Sequence, residues 1–193
     1  PAYLARRVAR ATRRLRIASS RSWLEVLRWS ALVAANRMRS IRRAMSFSFT
    51  TPVRFQDVDA AGVLFFGRIY DYLHLAYEEF WVSGGVDRAY FFAGAPWVVP
   101  IAHSEADYKA PIRHGDTITV AIEVVKVGRA SFALRYTVTG GGGPEDRRVA
   151  ARTVHAFASR VEAGRLKPTA IPDELRMFLL RHLVEEPLAR DAP

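Results

Sequence analysis

Two stretches in the second half of the chain alternate apolar and polar side chains with a period of two. Over 117–127, Ile118, Val120, Ile122 and Val124 are separated by Thr119, Ala121 and Glu123. Over 130–139, Phe132, Leu134, Tyr136 and Val138 are separated by Ala133, Arg135 and Thr137. Alternation of this kind sends successive side chains to opposite faces and predicts half-buried strands. Gly128-Arg129 joins the two as a tight hairpin. The glycine run 140–143, followed by Pro144, reads as a hairpin tip from which a further strand returns over 148–160. Two more strands are predicted upstream. One runs over 97–108 and is closed by Lys109-Ala110-Pro111; the other covers FSFTTPVRF at 47–55, with Pro52 placing it at a sheet edge or a bulge.

A different period governs 67–82. Ile69, Leu73, Ala76 and Phe80 recur at helical spacing, and Tyr70, Tyr72, Tyr77 and Trp81 leave few polar sides. This predicts one long helix buried on most faces and ended by Gly84-Gly85. Residues 86–96 read as a loop or short helix and 164–172 as a basic loop. A short amphipathic helix is predicted over 171–184, with Asp173 and Glu174 at its start. Strand, long helix, then four antiparallel strands predicts an α+β fold: a five-stranded antiparallel sheet wrapped around one long central helix, with a short C-terminal helix.

The 193 residues are enough for one domain plus an extension, and no apolar run approaches the roughly 20 residues that span a bilayer. Cysteine is absent, which excludes disulfides, thiolate metal sites and a Cys nucleophile and fits a cytoplasmic location. The net charge of +10 divides unevenly. Residues 1–45 hold twelve Arg and one Glu, whereas 46–193 hold 17 basic and 18 acidic side chains. The folded part is therefore close to neutral, and nucleic acid is not its expected partner. The basic segment has three readings: an extension upstream of a natural start at Met45, an organellar transit peptide, or an amphipathic helix on an anionic membrane or nucleic acid, with Trp23, Leu24, Leu27 and Leu32 as its apolar face. Membrane contact is expected only through this segment. The expected organisation is an extension over 1–45, a domain over 46–184 and a tail over 185–193.

Candidate chemistry concentrates in the turn between the first strand and the helix, which holds Asp57, Asp59 and Gly62. Aspartates in turns usually satisfy turn amides. Two features point further here. The following VLFFG is too apolar for a surface turn, so a carboxylate beside it is expected to be partly desolvated. The helix also begins without a Ser or Thr cap, leaving N–H groups that suit an oxyanion.

The run Arg54-Phe55-x-Asp57-x-Asp59-Ala60-Ala61-Gly62-Val63-x-Phe65-Phe66 resembles the active-site signature of hotdog-fold acyl-CoA thioesterases. The closest subgroup is that of 4-hydroxybenzoyl-CoA thioesterase and 1,4-dihydroxy-2-naphthoyl-CoA hydrolase. The resemblance continues through His74, Tyr77 and Glu78, through Pro100-Ile101-x-His103 and Pro111, and through Gly128-Arg129-x-Ser131-Phe132 to Ile171-Pro172. It implies that Asp59 is the catalytic carboxylate, acting as nucleophile or as general base on water. It also implies that the Phe66 N–H holds the thioester oxygen and that Gly62 permits the turn. A related branch keeps His where this chain has Phe66, which favours the aromatic-acyl subgroup. Other branches use a helical Glu; Glu78 and Glu79 lie too far along the helix for that role.

The resemblance further implies that the acyl group meets Phe65, Phe66, Tyr70 and Trp97. Lys126, Arg129, Ser131, Arg160, Arg165 and Lys167 are the expected rim for coenzyme A. No metal or other cofactor is expected, and a homodimer, paired again into a homotetramer, is. His74 and His103 read as hydrogen-bonded core or interface residues. Two alternatives stay open: an acyl-carrier-protein substrate, and a non-catalytic acyl-binding or scaffold module.

Overall fold

The computed structural model describes residues 47–160 and 165–184, apart from the side chains of Phe92, Ala93 and Arg160. The extension expected over 1–45 and the tail expected over 185–193 lie outside the described residues. Within the described residues the elements are β1 (Phe47–Pro52), α1 (Ile69–Ser83), β2 (Trp97–Val98), β3 (Ile101–Tyr108), β4 (Thr117–Val127), β5 (Ser131–Thr139), β6 (Arg147–Ala156), β7 (Ala158–Arg160), β8 (Leu166–Pro168) and α2 (Asp173–Arg181).

The period-two alternation becomes the inner face of a five-stranded antiparallel sheet in the order β1-β4-β5-β6-β3. Ile118, Val120, Ile122 and Val124 of β4 are buried, as are Phe132, Leu134, Tyr136 and Val138 of β5. Ile122 lies opposite Phe47 on one side and Tyr136 on the other, so like-facing positions line up in rows across the sheet. That face receives α1, whose Ile69, Tyr72, Leu73, Ala76 and Phe80 are buried against it. α2 closes the far end of α1, with the Phe178 ring tilted against Phe80 at 4.7 Å. Gly84 follows the last turn of α1, where a Cβ would stand 2.6 Å from the Phe178 ring. This is the α+β arrangement expected from the sequence.

Three details differ. The strand expected over 97–108 is broken at Pro100, and the one over 148–160 is broken at Phe157. The short pieces so released, β2 and β7, form a second three-stranded sheet with β8, a segment expected to be loop. Second, α1 is buried on one broad stripe rather than on most faces; Asp71, His74, Leu75 and Val82 are exposed. Tyr72 and Tyr77 lie one or four positions from Leu73 and Ala76, and Trp81 lies four from Tyr77 and one from Phe80, so these buried aromatic residues widen that stripe rather than cover the opposite side. Third, β4 carries a bulge between Val124 and Lys126, which leaves Val125 buried and Lys126 exposed.

Candidate active site

Between β1 and α1 the chain folds into a small ladder. The Phe65 N–H donates to the Asp57 carbonyl (2.9 Å), Val58 bridges Leu64, and the Asp59 N–H donates to the Val63 carbonyl (2.9 Å). At the tip the Gly62 N–H donates to the Asp59 carbonyl (2.9 Å), closing a tight turn over 59–62. Gly62 has φ 72°, in the left-handed region. A Cβ there would meet nothing within 4 Å, so glycine is required by the backbone and not by space. The Asp59 Oδ1 accepts the Ala61 N–H (2.8 Å), and the side chain is exposed at the tip.

Asp57 has a different setting. The Tyr72 hydroxyl donates to its Oδ2 (2.6 Å) while accepting the Arg54 N–H (3.0 Å), and the Arg68 guanidinium stands 3.8 Å from Oδ1. Burial, and then the bond to Asp57, holds the Tyr72 hydroxyl above the usual phenol range, so it remains a donor. Asp57 is thus tied to the core through Tyr72, at 13% side-chain exposure. The expected desolvation of Asp59 by VLFFG is not found in the protomer. Leu64 turns inward, but Phe65 and Phe66 stay 46% and 66% exposed, their rings tilted against each other with centroids 4.7 Å apart.

Phe66 opens a 3-10 turn, Phe66–Arg68, that runs directly into α1. Neither start carries a side-chain cap; the Arg68 N–H closes the turn on the Phe65 carbonyl (2.8 Å), ahead of which stand the Phe66 and Gly67 N–H groups. Tyr70 is half-buried in the first turn of α1. Glu78 and Glu79 are held by Arg88 at 3.4 and 2.5 Å. His74 and His103, expected in a core or interface, are half exposed beside Glu78 (3.3 Å) and Glu105 (3.2 Å). Trp97 packs on Phe91 and Phe157 and lines a pocket of about 200 Å³ together with His74, Tyr77, Ile101 and His155.

The expected coenzyme A rim gathers elsewhere. Ser131 returns its carbonyl to the Gly128 N–H (2.7 Å), and the Arg129 carbonyl accepts the Ile171 N–H (2.9 Å). Lys167 lies opposite Ser159 in the small sheet, and Arg165 precedes it. Lys126, Arg129, Arg165 and Lys167 are exposed; the Arg160 side chain lies outside the described residues. All of these sit at the Val127 end of β4, whereas the Asp59 ladder docks on the residues entering its Thr117 end, through Leu64 N–H to Ile112 O (2.8 Å) and the Val63–Arg113 bridge. At about 3.3 Å per residue the ends of β4 are some 33 Å apart. One protomer therefore brings together Asp59, Gly62, Phe65, Phe66 and Tyr70, and keeps the rim residues apart from them. Two tyrosines that the sequence reading passed over reach the ladder: Tyr72, and Tyr108, whose hydroxyl donates to the Phe66 carbonyl. Helical spacing marks Tyr72 only as core, and a tyrosine ending an edge strand carries no local signal.

The sequence profile of the Thioesterase-like superfamily matches residues 53–179, from the end of β1 into α2. The chain belongs to that superfamily. A 1,4-dihydroxy-2-naphthoyl-CoA hydrolase of Nostoc punctiforme is 31% identical to this thioesterase over 138 residues, 70% of this chain and 87% of the relative. Another, of Thermosynechococcus vestitus, is 34% identical over 127 residues, 66% of this chain and 84% of the relative. The solved 1,4-dihydroxy-2-naphthoyl-CoA thioesterase of Synechocystis superposes with a TM-score of 0.63 at 21% identity, covering 70% of this chain and 96% of that one. The 4-hydroxybenzoyl CoA thioesterase of Pseudomonas sp. strain CBS-3 gives 0.62 at 19%, covering 69% and 98%. At those identities the structures speak for the fold, which is the hotdog arrangement. The thioesterase is a thioester hydrolase, and no helix among its described residues is long and apolar enough to cross a membrane.

Proposed function

We propose that this thioesterase hydrolyses an aromatic acyl-CoA, with 4-hydroxybenzoyl- and 1,4-dihydroxy-2-naphthoyl-CoA as candidates, to the free acid and coenzyme A. The observation that carries the reading is the Asp59 turn set beside the uncapped start of α1. Asp59 either attacks the thioester carbon, giving a mixed anhydride that water then opens, or takes a proton from the attacking water. The carbonyl oxygen gains negative charge in either route and accepts the Phe66 N–H, and the coenzyme A thiolate leaves. Asp57, with its carboxylate engaged by Tyr72 and Arg68, serves the turn rather than the chemistry. The steps use only protein groups, water and substrate.

The separation along β4 favours a homodimer as the working unit. β3 is one of the sheet's two edges among the described residues and is exposed along nearly its whole length, with Ile101 at 53% and Tyr108 at 46%. An exposed edge strand offers unpaired backbone to a second copy. Antiparallel pairing of β3 with its copy reverses the ends. Tyr108 lies at the Asp59 end and Ile101, opposite His155, at the hairpin end. One protomer's Arg129, Ser131, Lys126, Arg165 and Lys167 then face the other's Asp59 and Phe66, and cations meet the coenzyme A phosphates while Phe65, Tyr70 and Trp97 offer aromatic surface to the acyl group. Pairing of two such dimers gives the tetramer, in the cytoplasm. A panel of aromatic and aliphatic acyl-CoAs, read by release of free thiol, tests the assignment. The aromatic members should turn over at least about tenfold faster; a preference for aliphatic chains overturns the substrate class, and no thiol release from any member overturns acyl-CoA hydrolysis.

A further inference from the structure

We infer that Tyr108 is a positioning residue for the catalytic turn: its hydroxyl holds the Phe66–Gly67 peptide so that the N–H groups opening α1 face the thioester. The inference rests on the proposed reaction and adds to it a residue from a different part of the fold.

Apart from the Arg68 N–H bond to the Phe65 carbonyl (2.8 Å), which closes the turn around that peptide, little along the chain fixes it. The Phe66 side chain is two-thirds exposed and its ring packs on Phe65, itself exposed. Gly67 follows, with the widest backbone freedom of any residue. No side chain caps the turn. Beneath it a cleft of about 340 Å³, lined by Val63, Leu64, Tyr108, Pro111 and Ile112, separates the ladder from the segment after β3. Close packing therefore does not clamp the two together, and hydrogen bonds do. The Leu64 N–H donates to the Ile112 carbonyl beside the Val63–Arg113 bridge, and the Tyr108 hydroxyl donates to the Phe66 carbonyl.

The second bond has a directional consequence. The peptide is trans, so its carbonyl and the Gly67 N–H point in opposite directions. Anchoring the carbonyl on the Tyr108 side turns the Gly67 N–H to the other side and sets the orientation of Phe66. Tyr108 itself is anchored. It pairs with Val149 in β6, and the following Lys109 and Ala110 N–H groups both donate to the Arg148 carbonyl (2.8 and 3.3 Å). Arg148 in turn donates to the Pro111 carbonyl (2.5 Å) and is held by Asp146 (2.6 Å). The Tyr108 hydroxyl is kept above the usual phenol range by burial and by Tyr70, so it remains protonated and donating.

The test compares full-length wild type with Tyr108→Phe, which keeps the ring and removes the donor. Two measurements are made on each: steady-state thiol release from an aromatic acyl-CoA, and hydrogen–deuterium exchange of the peptide spanning 63–68. The expected result is a kcat about tenfold lower, a KM within twofold, and faster exchange confined to 63–68, with the oligomer size unchanged. Unchanged exchange overturns the inference, as does an unchanged kcat. A KM that rises in step with the loss of kcat/KM also overturns it, because Tyr108 would then contact the substrate. If wild type releases no thiol, the proposed reaction fails on its own, while the exchange measurement still decides whether Tyr108 holds the turn.

Discussion

Asp57 and Asp59 are the same residue type two positions apart, and their surroundings make them chemically distinct. Asp57 receives a buried tyrosine hydroxyl; Asp59 projects from a tight turn with one oxygen on the Ala61 N–H. His155 shows the same dependence on surroundings away from the turn. Its ring is buried and stacked between Tyr77 (4.8 Å) and Phe132 (4.7 Å). Thr153 Oγ1 donates to the Tyr136 hydroxyl, so it accepts from His155 Nε2 (2.8 Å), which leaves Nδ1 as an acceptor without a partner among the described residues. Burial first, and His74 second, pushes the imidazole down to about 4. The folded value thus lies below the unfolded one, and the unfolded chain binds the extra proton. The stabilisation is fully present above about 6.5 and is lost as pH falls from there to about 4, by about 3 kcal/mol at most. Urea midpoints for wild type should drop across that window, and His155→Phe should flatten the drop. Equal slopes for the two proteins would remove His155 from the acid response.

At the scale of elements, the period-two runs became β4 and β5 with their inward faces as read, because each strand has one buried face and alternation reports that directly. The small sheet of β2, β7 and β8 was not legible. Two- and three-residue strands are too short to show a period; Phe157 interrupts an apparent strand without any compositional change, whereas Pro100 is a breaker of the kind already read at Pro52. The helix was over-read for a related reason: tyrosine and tryptophan count as apolar on every side in a sequence, but in the structure they sit on the sheet side of α1. The exposed edge β3 makes the strongest prediction at this level. Ile101→Asp should convert the proposed dimer to a monomer in light scattering, keep the helix content, and reduce thiol release to below about a tenth. A variant that stays dimeric and active would place the subunit contact elsewhere.

For the whole molecule, the sequence made Asp59, Gly62 and Phe66 legible because they share one short ladder, and the structure adds what spacing along the chain does not contain. Arg129 and Ser131 stand about 33 Å from that ladder along β4, and in the proposed dimer the antiparallel reversal at β3 would return them to it in a second copy. Mixing Asp59→Asn subunits with Arg129→Ala subunits should then regenerate one intact site in each mixed dimer, and activity at low substrate should exceed that of either parent alone. Additive, unrestored activity would assign each site to a single protomer. The central claim is that Asp59 performs the chemistry, and thiol release from an aromatic acyl-CoA by Asp59→Asn tests it most directly. Asparagine keeps the acceptor for the Ala61 N–H and the side chain is exposed, so the thermal midpoint should stay within about 2 °C of wild type. Turnover should fall by about 1,000-fold or more; near-normal turnover by the folded variant would contradict the account.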